Sequence, residues 1–251
     1  MTARTCLVTG AGRGIGGVIA ARLSTAGHRV ALNARGRDGL EAVAGTLPGP
    51  SLLVPGDVTD PAAVDEVFEA VEREWGPVEV LVLNAGAGVS APLARTTDED
   101  WQHMLDLNLT APFRFLRRAA PAMAERGWGR VVVIASVAAK RGAPYISAYA
   151  AAKHGVLGLV RSAAAELAGT GVTVNAVCPG YVDTPMTEHT VAGIAAKTGR
   201  TEEQARAALV KQQPIGRLIT TDEVADAVDL CVRTAAITGQ GINVDGGAVQ
   251  S

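Results

Sequence analysis

A strand that ends in a run of glycines and passes straight into a helix leaves a chain few folds to choose from. Here Cys6-Leu7-Val8-Thr9 is a short apolar strand and Ile15 to Ala26 reads as a helix. Between them lies Thr9-Gly10-Ala11-Gly12-Arg13-Gly14-Ile15-Gly16. Glycines let the backbone turn tightly and come close to a ligand. The first turn of the helix that follows offers N–H groups with no partner in the helix. In an α/β fold, a loop of this kind after the first strand is where a diphosphate binds.

The rest of the chain repeats the alternation. Further strands are expected at His28 to Ala34, Ser51 to Val54, Val80 to Leu83, Arg130 to Ala135, Val172 to Val177 and Ile242 to Val244. Val80-Leu81-Val82-Leu83 is apolar throughout, as buried parallel strands are. Helices are expected at Arg37 to Leu47, from Asp60-Pro61 to Trp75, and from Thr97-Asp98-Glu99-Asp100 to about Arg126. Pro112 marks a kink or break inside the last of these. A helix carrying Tyr149 and Lys153 runs to about Ala168, and another spans Thr221 to about Val232. The segment from about Met186 to Lys211 reads as helical but interrupted at Gly193 and Gly199. Strands alternating with helices imply a doubly wound, Rossmann-type parallel sheet of about seven strands, with helices on both faces. No repeat or linker divides the chain, so residues 1–251 are expected to form one domain, with a substrate lid at about 186–212.

Composition removes several classes of function. A formal charge of −2 gives no general attraction to nucleic acid. No apolar stretch approaches the roughly 18 residues of a membrane span, and no signal-peptide pattern opens the chain. Cys6, Cys178 and Cys231 are odd in number and far apart, and His28, His103, His154 and His189 have no ligand spacing. Neither a disulfide framework nor a metal site is expected, and a reducing cytoplasm is the simplest location. Cys178 reads as a small buried apolar residue.

The end of the second strand decides which dinucleotide fits. An acid there would bind a ribose 2′-hydroxyl, whereas an arginine would suit a 2′-phosphate. The segment reads Leu32-Asn33-Ala34-Arg35-Gly36-Arg37, with no acid at the strand end. Arg35 and Arg13 can both reach that region, and a planar guanidinium fits a phosphate. NADP(H) is therefore preferred over NAD(H). Asp38 is the competing feature and is read as a helix cap.

Tyr149-Ala150-Ala151-Ala152-Lys153 opens an Ala-rich helical run. Residues four apart share a helix face, so a phenol and an ammonium stand side by side. A neighbouring positive charge lowers a tyrosine pKa. Such a tyrosine can give a proton to a developing alkoxide or take one from an alcohol.

Taken in order, these residues resemble the short-chain dehydrogenase/reductase family, and the resemblance covers nearly the whole chain. The glycine run has that family's T-G-x-x-x-G-x-G spacing. Gly56-Asp57-Val58 resembles its adenine-contacting turn, and Asn84-Ala85-Gly86 its motif beneath the cofactor. Pro179-Gly180, Val182 and Thr184 resemble the segment that holds the nicotinamide. Gly239 to Gly247 is also typical, while Leu83 stands where many members carry an asparagine. The resemblance implies hydride transfer between a nicotinamide and a carbonyl carbon, served by Asn108, Ser136, Tyr149 and Lys153. It makes Tyr149 the proton donor in reduction, and Lys153 the residue that lowers its pKa and binds the nicotinamide ribose. Ser136 holds the substrate oxygen, and Asn108 anchors a water that links Lys153 to solvent.

In such proteins the substrate is read by three segments, here Ala87 to Leu93, Val137 to Tyr145, and the residues after Thr184. Ser136, Val137, Tyr145 and Met186 are the candidate contacts. The pattern is most similar to 3-oxoacyl reductases and aromatic-polyketide ketoreductases, which implies a ketone or acyl thioester substrate. Lys140 and Arg141 could attract a phosphopantetheine or CoA phosphate, or equally form a solvated basic loop. Acyl-carrier-protein reductases of this kind tend to carry two basic residues on one face; Arg126 matches the first and Thr170 occupies the second. Two rivals stay open: an NAD-linked 3-hydroxyacyl or secondary-alcohol dehydrogenase, and a catalytically silent nucleotide-sensing protein. The resemblance also implies a homotetramer or dimer.

Overall fold

The computed structural model describes residues 2–250. Its strands are β1 (Thr5–Thr9), β2 (Arg29–Asn33), β3 (Ser51–Leu53), β4 (Val80–Leu83), β5 (Gly129–Ile134), β6 (Val172–Pro179) and β7 (Gly241–Val244). They form one sheet in the order β3-β2-β1-β4-β5-β6-β7, with every neighbouring pair parallel. Side chains alternate across a strand. Leu7 therefore packs on one face with Leu81 and Val131, while Cys6 and Val8 pack on the other with Val80 and Val132.

Helices α3 (Pro61–Trp75), α5 (Ala111–Glu125) and α6 (Ser147–Glu166) cover the first face. Phe68 and Phe115 meet there with ring centroids 5.7 Å apart. Helices α1 (Gly14–Thr25), α2 (Arg37–Ala44) and α9 (Thr221–Arg233) cover the second. Asp60 caps α3 by accepting from Ala62 N at 2.9 Å, with proline in the first turn. Thr220 and Glu223 form a reciprocal capping box on α9.

Three local expectations need correction. The break near Pro112 lies upstream of it. Helix α4 (Asp98–Leu105) passes into a π-helical turn at Asp106–Thr110, and Pro112 falls in the first turn of α5, where a missing N–H costs little. Gly193 does not interrupt its helix: α7 (Pro185–Thr198) runs through it to Gly199, which ends it at φ 70°, and α8 (Glu202–Val210) follows. Asp38 is not the cap of α2. Gly36 holds that position and Asp38 lies in the first turn.

The chain reverses its direction of travel across the sheet between β1 and β4. In a parallel sheet this leaves a crevice at the carboxyl ends of those strands. Among the described residues no helix is long and apolar enough to cross a membrane.

Candidate active site

The glycine loop leaves β1 on one side of the crevice, and Asn84-Ala85-Gly86 leaves β4 on the other. They are stapled together. Asn84 Nδ2 donates to the carbonyls of Thr9 and Gly10 at 3.0 and 3.1 Å. Thr9 Oγ1 accepts from the amides of Asn84 and Ala85 at 3.0 and 3.1 Å. Gly14 has φ 56° and Gly16 packs against the Gly10 carbonyl so closely that a Cβ there would overlap it. Arg13 flanks α1 in an extended conformation, no side chain caps the helix, and its first turn holds no acid. An uncapped, acid-free N-terminus behind a glycine turn fits the diphosphate of a dinucleotide. Across the crevice, Thr184 caps α7, and a Cβ on Gly14 would lie 3.8 Å from Thr184 Cγ2.

Arg13 and Arg35 are both exposed, and Asn33, the last residue of β2, is buried with Nδ2 donating to Val54 O at 2.9 Å. The carboxylate of Asp57 accepts from the amide and hydroxyl of Thr59 at 2.9 and 2.7 Å. Those bonds, the hydroxyl first, hold Asp57 below the usual carboxylate range, and Arg35 adds to the effect. Val58 beside it is buried.

Asn108, Ser136, Tyr149 and Lys153 converge on the same crevice. Asn108 sits in the π turn. Its Nδ2 donates to Ala87 O and Met104 O at 3.0 and 3.1 Å, while Oδ1 is buried and accepts nothing from the protein. A Cβ on Gly86 would stand 2.9 Å from that oxygen and 3.7 Å from Lys153 Nζ, so the bare Cα of glycine lets the two approach. A polar atom orphaned at this depth fits a site completed by water or ligand. Lys153 is buried, donates Nζ–H to Ile134 O at 2.9 Å, and lies 5.6 Å from the centre of the Tyr149 ring. Burial lowers its pKa to about 8.

The tuning of Tyr149 differs from the expectation. Burial of the phenol dominates and raises its pKa; the influence that lowers it is a hydrogen bond with the Ser136 hydroxyl rather than the Lys153 ammonium. Ser136 also accepts from Ala138 N at 3.1 Å, capping the short turn Val137–Ala139, so one hydroxyl serves both turn and phenol.

The three segments expected to read the substrate border the crevice, where a Cβ on Gly88 would lie 3.7 Å from the Tyr149 ring. Ala91 N donates to Tyr145 O at 2.9 Å, joining the first segment to the second. Tyr145 is exposed and holds φ 71°, an unusual backbone for a side chain of its size. Met186, in the first turn of α7, is exposed as well. Lys140 is not the free cation expected at the entrance: its Nζ donates to Gly241 O at 2.6 Å, tying it to β7, and Arg141 donates to Ala248 O at 3.0 Å. Cys178 is buried with its pKa raised by burial, which leaves it a small apolar residue. Pro179 ends β6, Gly180 N donates to Val244 O at 3.0 Å, and Val182 bridges to Ile219. Sequence reasoning missed Tyr181 and Gln213, which lie among these residues; a glutamine before a proline carries no local signal of burial.

A parallel sheet with a diphosphate-ready loop at its switch point, and a phenol, a hydroxyl and an ammonium beside it, defines a dinucleotide-dependent oxidoreductase. The profile of the family described as short chain dehydrogenase matches residues 4–195, and the chain belongs to that family. It is 38% identical over 252 residues to D-beta-hydroxybutyrate dehydrogenase of Rhizobium meliloti, covering 97% of this chain and 98% of that protein. It is 41% identical over 246 residues to the 3-oxoacyl-[acyl-carrier-protein] reductase MabA of Mycobacterium tuberculosis, covering 97% and 92%. A crystal structure of a tryptophan variant of actinorhodin polyketide ketoreductase with NADPH superposes with a TM-score of 0.95 at 39% identity, covering 98% of this chain and 97% of that one.

Proposed function

We propose that this enzyme reduces a ketone, a 3-oxoacyl thioester or polyketide-like substrate, to a secondary alcohol with NADPH. The observation that carries the reading is the convergence of Ser136, Tyr149, Lys153 and the orphaned Asn108 oxygen at the mouth of the β1–β4 crevice. The bound nicotinamide would supply hydride to the carbonyl carbon. The chain's own residues supply the rest. Tyr149 keeps its proton across the neutral range, as burial dictates, and can donate it to the carbonyl oxygen as charge develops there. Ser136 holds that oxygen and the phenol together. Lys153 binds the ribose and, through water on Asn108 Oδ1, restores the proton to Tyr149. Gly10, Gly12, Arg13, Gly14, Ile15 and Gly16 would hold the diphosphate, Asp57 and Val58 the adenine, and Asn84, Ala85, Gly86, Pro179, Gly180, Val182 and Thr184 the nicotinamide half.

Three features support the finer parts. Arg13 and Arg35 stand exposed beside a strand end with no acid, which favours a 2′-phosphate. The ketoacyl reductases and the NADPH-bound ketoreductase among the relatives point to the same cofactor and substrate class. Leu93, Tyr145 and Met186, exposed by 79%, 62% and 53%, place apolar surface on all three substrate segments. Assembly as a homotetramer or dimer through the long helices belongs to the same reading, and light scattering on the purified protein tests it.

The second reading, an NAD-linked 3-hydroxyacyl dehydrogenase, is favoured by the hydroxybutyrate dehydrogenase relative. Measuring kcat/KM for NADPH and NADH with acetoacetyl-CoA, and for NADP and NAD with 3-hydroxybutyrate, separates the two. A strong NADH preference would overturn the cofactor assignment. Tight NADPH binding with no turnover on a broad ketone panel would favour the silent nucleotide sensor.

A further inference from the structure

Gln213 is the one glutamine among the buried polar residues, at 2% exposure, in the turn that follows α8. Its side chain spends every polar atom on backbone. Oε1 accepts from Tyr181 N at 2.8 Å, and Nε2 donates to Tyr181 O at 3.2 Å and Arg217 O at 2.7 Å. Both backbone groups of one residue are thus held by a single amide, as a neighbouring strand would hold them. The fit is specific, because a Cβ on Gly180 would overlap Gln213 Oε1 and stand 3.2 Å from Asp245 Cα.

Tyr181 occupies a junction. Its ring packs against Val191, Ala205 and Leu209, the small core that α7 and α8 share. Its phenol bonds to the Gln212 side chain. The α7–α8 hairpin otherwise touches the substrate segments through exposed groups, such as Lys197 Nζ donating to Ser90 O at 3.0 Å. Exposed contacts of that kind are weak. The interior ties between hairpin and reaction chamber are the half-buried Tyr181 and Thr187, whose buried hydroxyl donates to Val182 O at 2.5 Å.

We infer that Gln213 is a positioning residue which, by clamping both backbone groups of Tyr181, sets the closed placement of the α7–α8 hairpin over the substrate. The clamp acts on capture of the ketone and not on the proton donor or the diphosphate loop. The inference deepens the ketoreductase reading and rests on it for its kinetic half only.

Gln213→Leu keeps the volume and removes all three hydrogen bonds; Gln213→Met serves if leucine prevents folding. One lost hydrogen bond is worth about fivefold in an equilibrium. The expected result is a KM for acetoacetyl-CoA raised about fivefold or more. The kcat should stay within about twofold and the NADPH Kd should move by less than the KM does. Amide hydrogen exchange supplies the second readout: the Tyr181 N–H should exchange at least about fivefold faster while the α6 amides hold. An unchanged Tyr181 exchange rate would overturn the clamp. So would KM, kcat and NADPH Kd moving together, the mark of a loosened fold. Wild-type protein that reduces no acetoacetyl-CoA would sink the ketoreductase reading alone, since the exchange measurement still decides the clamp.

Discussion

Lys153 donates its ammonium to the carbonyl oxygen of Ile134, 2.9 Å away at the last residue of β5. A buried lysine held this way is costly to the fold. Its pKa is about 8 against an ordinary 10.5. Between those values the unfolded chain binds the extra proton, so stability rises with pH across that window and the full penalty applies below it. Lys153→Met should therefore raise stability at pH 7 by on the order of 1 to 3 kcal/mol, the lost hydrogen bond offsetting part of the gain. Thermal melts at pH 7 and pH 9.5 check this, with the variant's advantage shrinking at the higher pH. A variant less stable than wild type at pH 7 would show that burial does not penalise the charge.

Tyr149→Phe keeps the ring and removes the proton. Turnover should fall by roughly 10²- to 10⁴-fold, the usual contribution of a positioned acid. NADPH binding, followed by fluorescence, should persist. Unchanged turnover would refute the assignment of Tyr149 as the acid.

Two neighbouring glycines should behave differently. Gly16→Ala sets a methyl on the Gly10 carbonyl and should lose both stability and cofactor affinity. Gly14→Ala meets nothing closer than Thr184 at 3.8 Å and adds only left-handed strain, about 1 to 2 kcal/mol. It should fold with a modestly lower Tm yet bind NADPH poorly, because its methyl faces the crevice. Calorimetric Tm and NADPH titration on both variants decide the point.

Arg35→Ala should lower the ratio of kcat/KM for NADPH over NADH by about tenfold, the effect of a lost charge-assisted bond to phosphate. Steady-state assays with both nucleotides test it. An unaltered ratio would leave Arg13 as the only arginine to carry the preference.

Glu223 is held at about 2 against 4.5 by its bond to the Arg217 guanidinium and by the Thr220 cap. Its contribution is complete above pH 4.5 and is lost as pH falls toward 2. Glu223→Gln should flatten the acid limb of the stability curve below pH 4.5 without altering cofactor binding at neutral pH. Acid unfolding followed by circular dichroism gives the comparison.

The inner strands were readable because they are buried on both faces, unlike the half-buried edge strands β3 and β7. Val80 to Leu83 begins and ends where its apolar run does, and Asp60-Pro61 marks the start of α3. The glycine loop, Asn84 and Ser136 could be placed because each follows closely on a strand end, and Tyr149 and Lys153 because they stand one turn apart on a helix. What could not be read depends on contacts distant in sequence. Lys140 looks like an entrance cation until Gly241 takes it, and Tyr149 is governed by burial that no spacing reveals. Local propensity does not encode the one-residue offset at Asp106–Thr110, so Pro112 drew attention to the wrong place.

That offset has a consequence for anyone improving the protein. An α-helix advances about 100° per residue, so the π turn rotates everything after Thr110 relative to what a regular helix would present. Removing one residue between Asp106 and Thr110 would restore the regular ladder and turn Asn108 away from Lys153. Engineering that rewards heat resistance alone would favour such deletions here, and under the proposed mechanism the most durable variants would be the ones without a proton path.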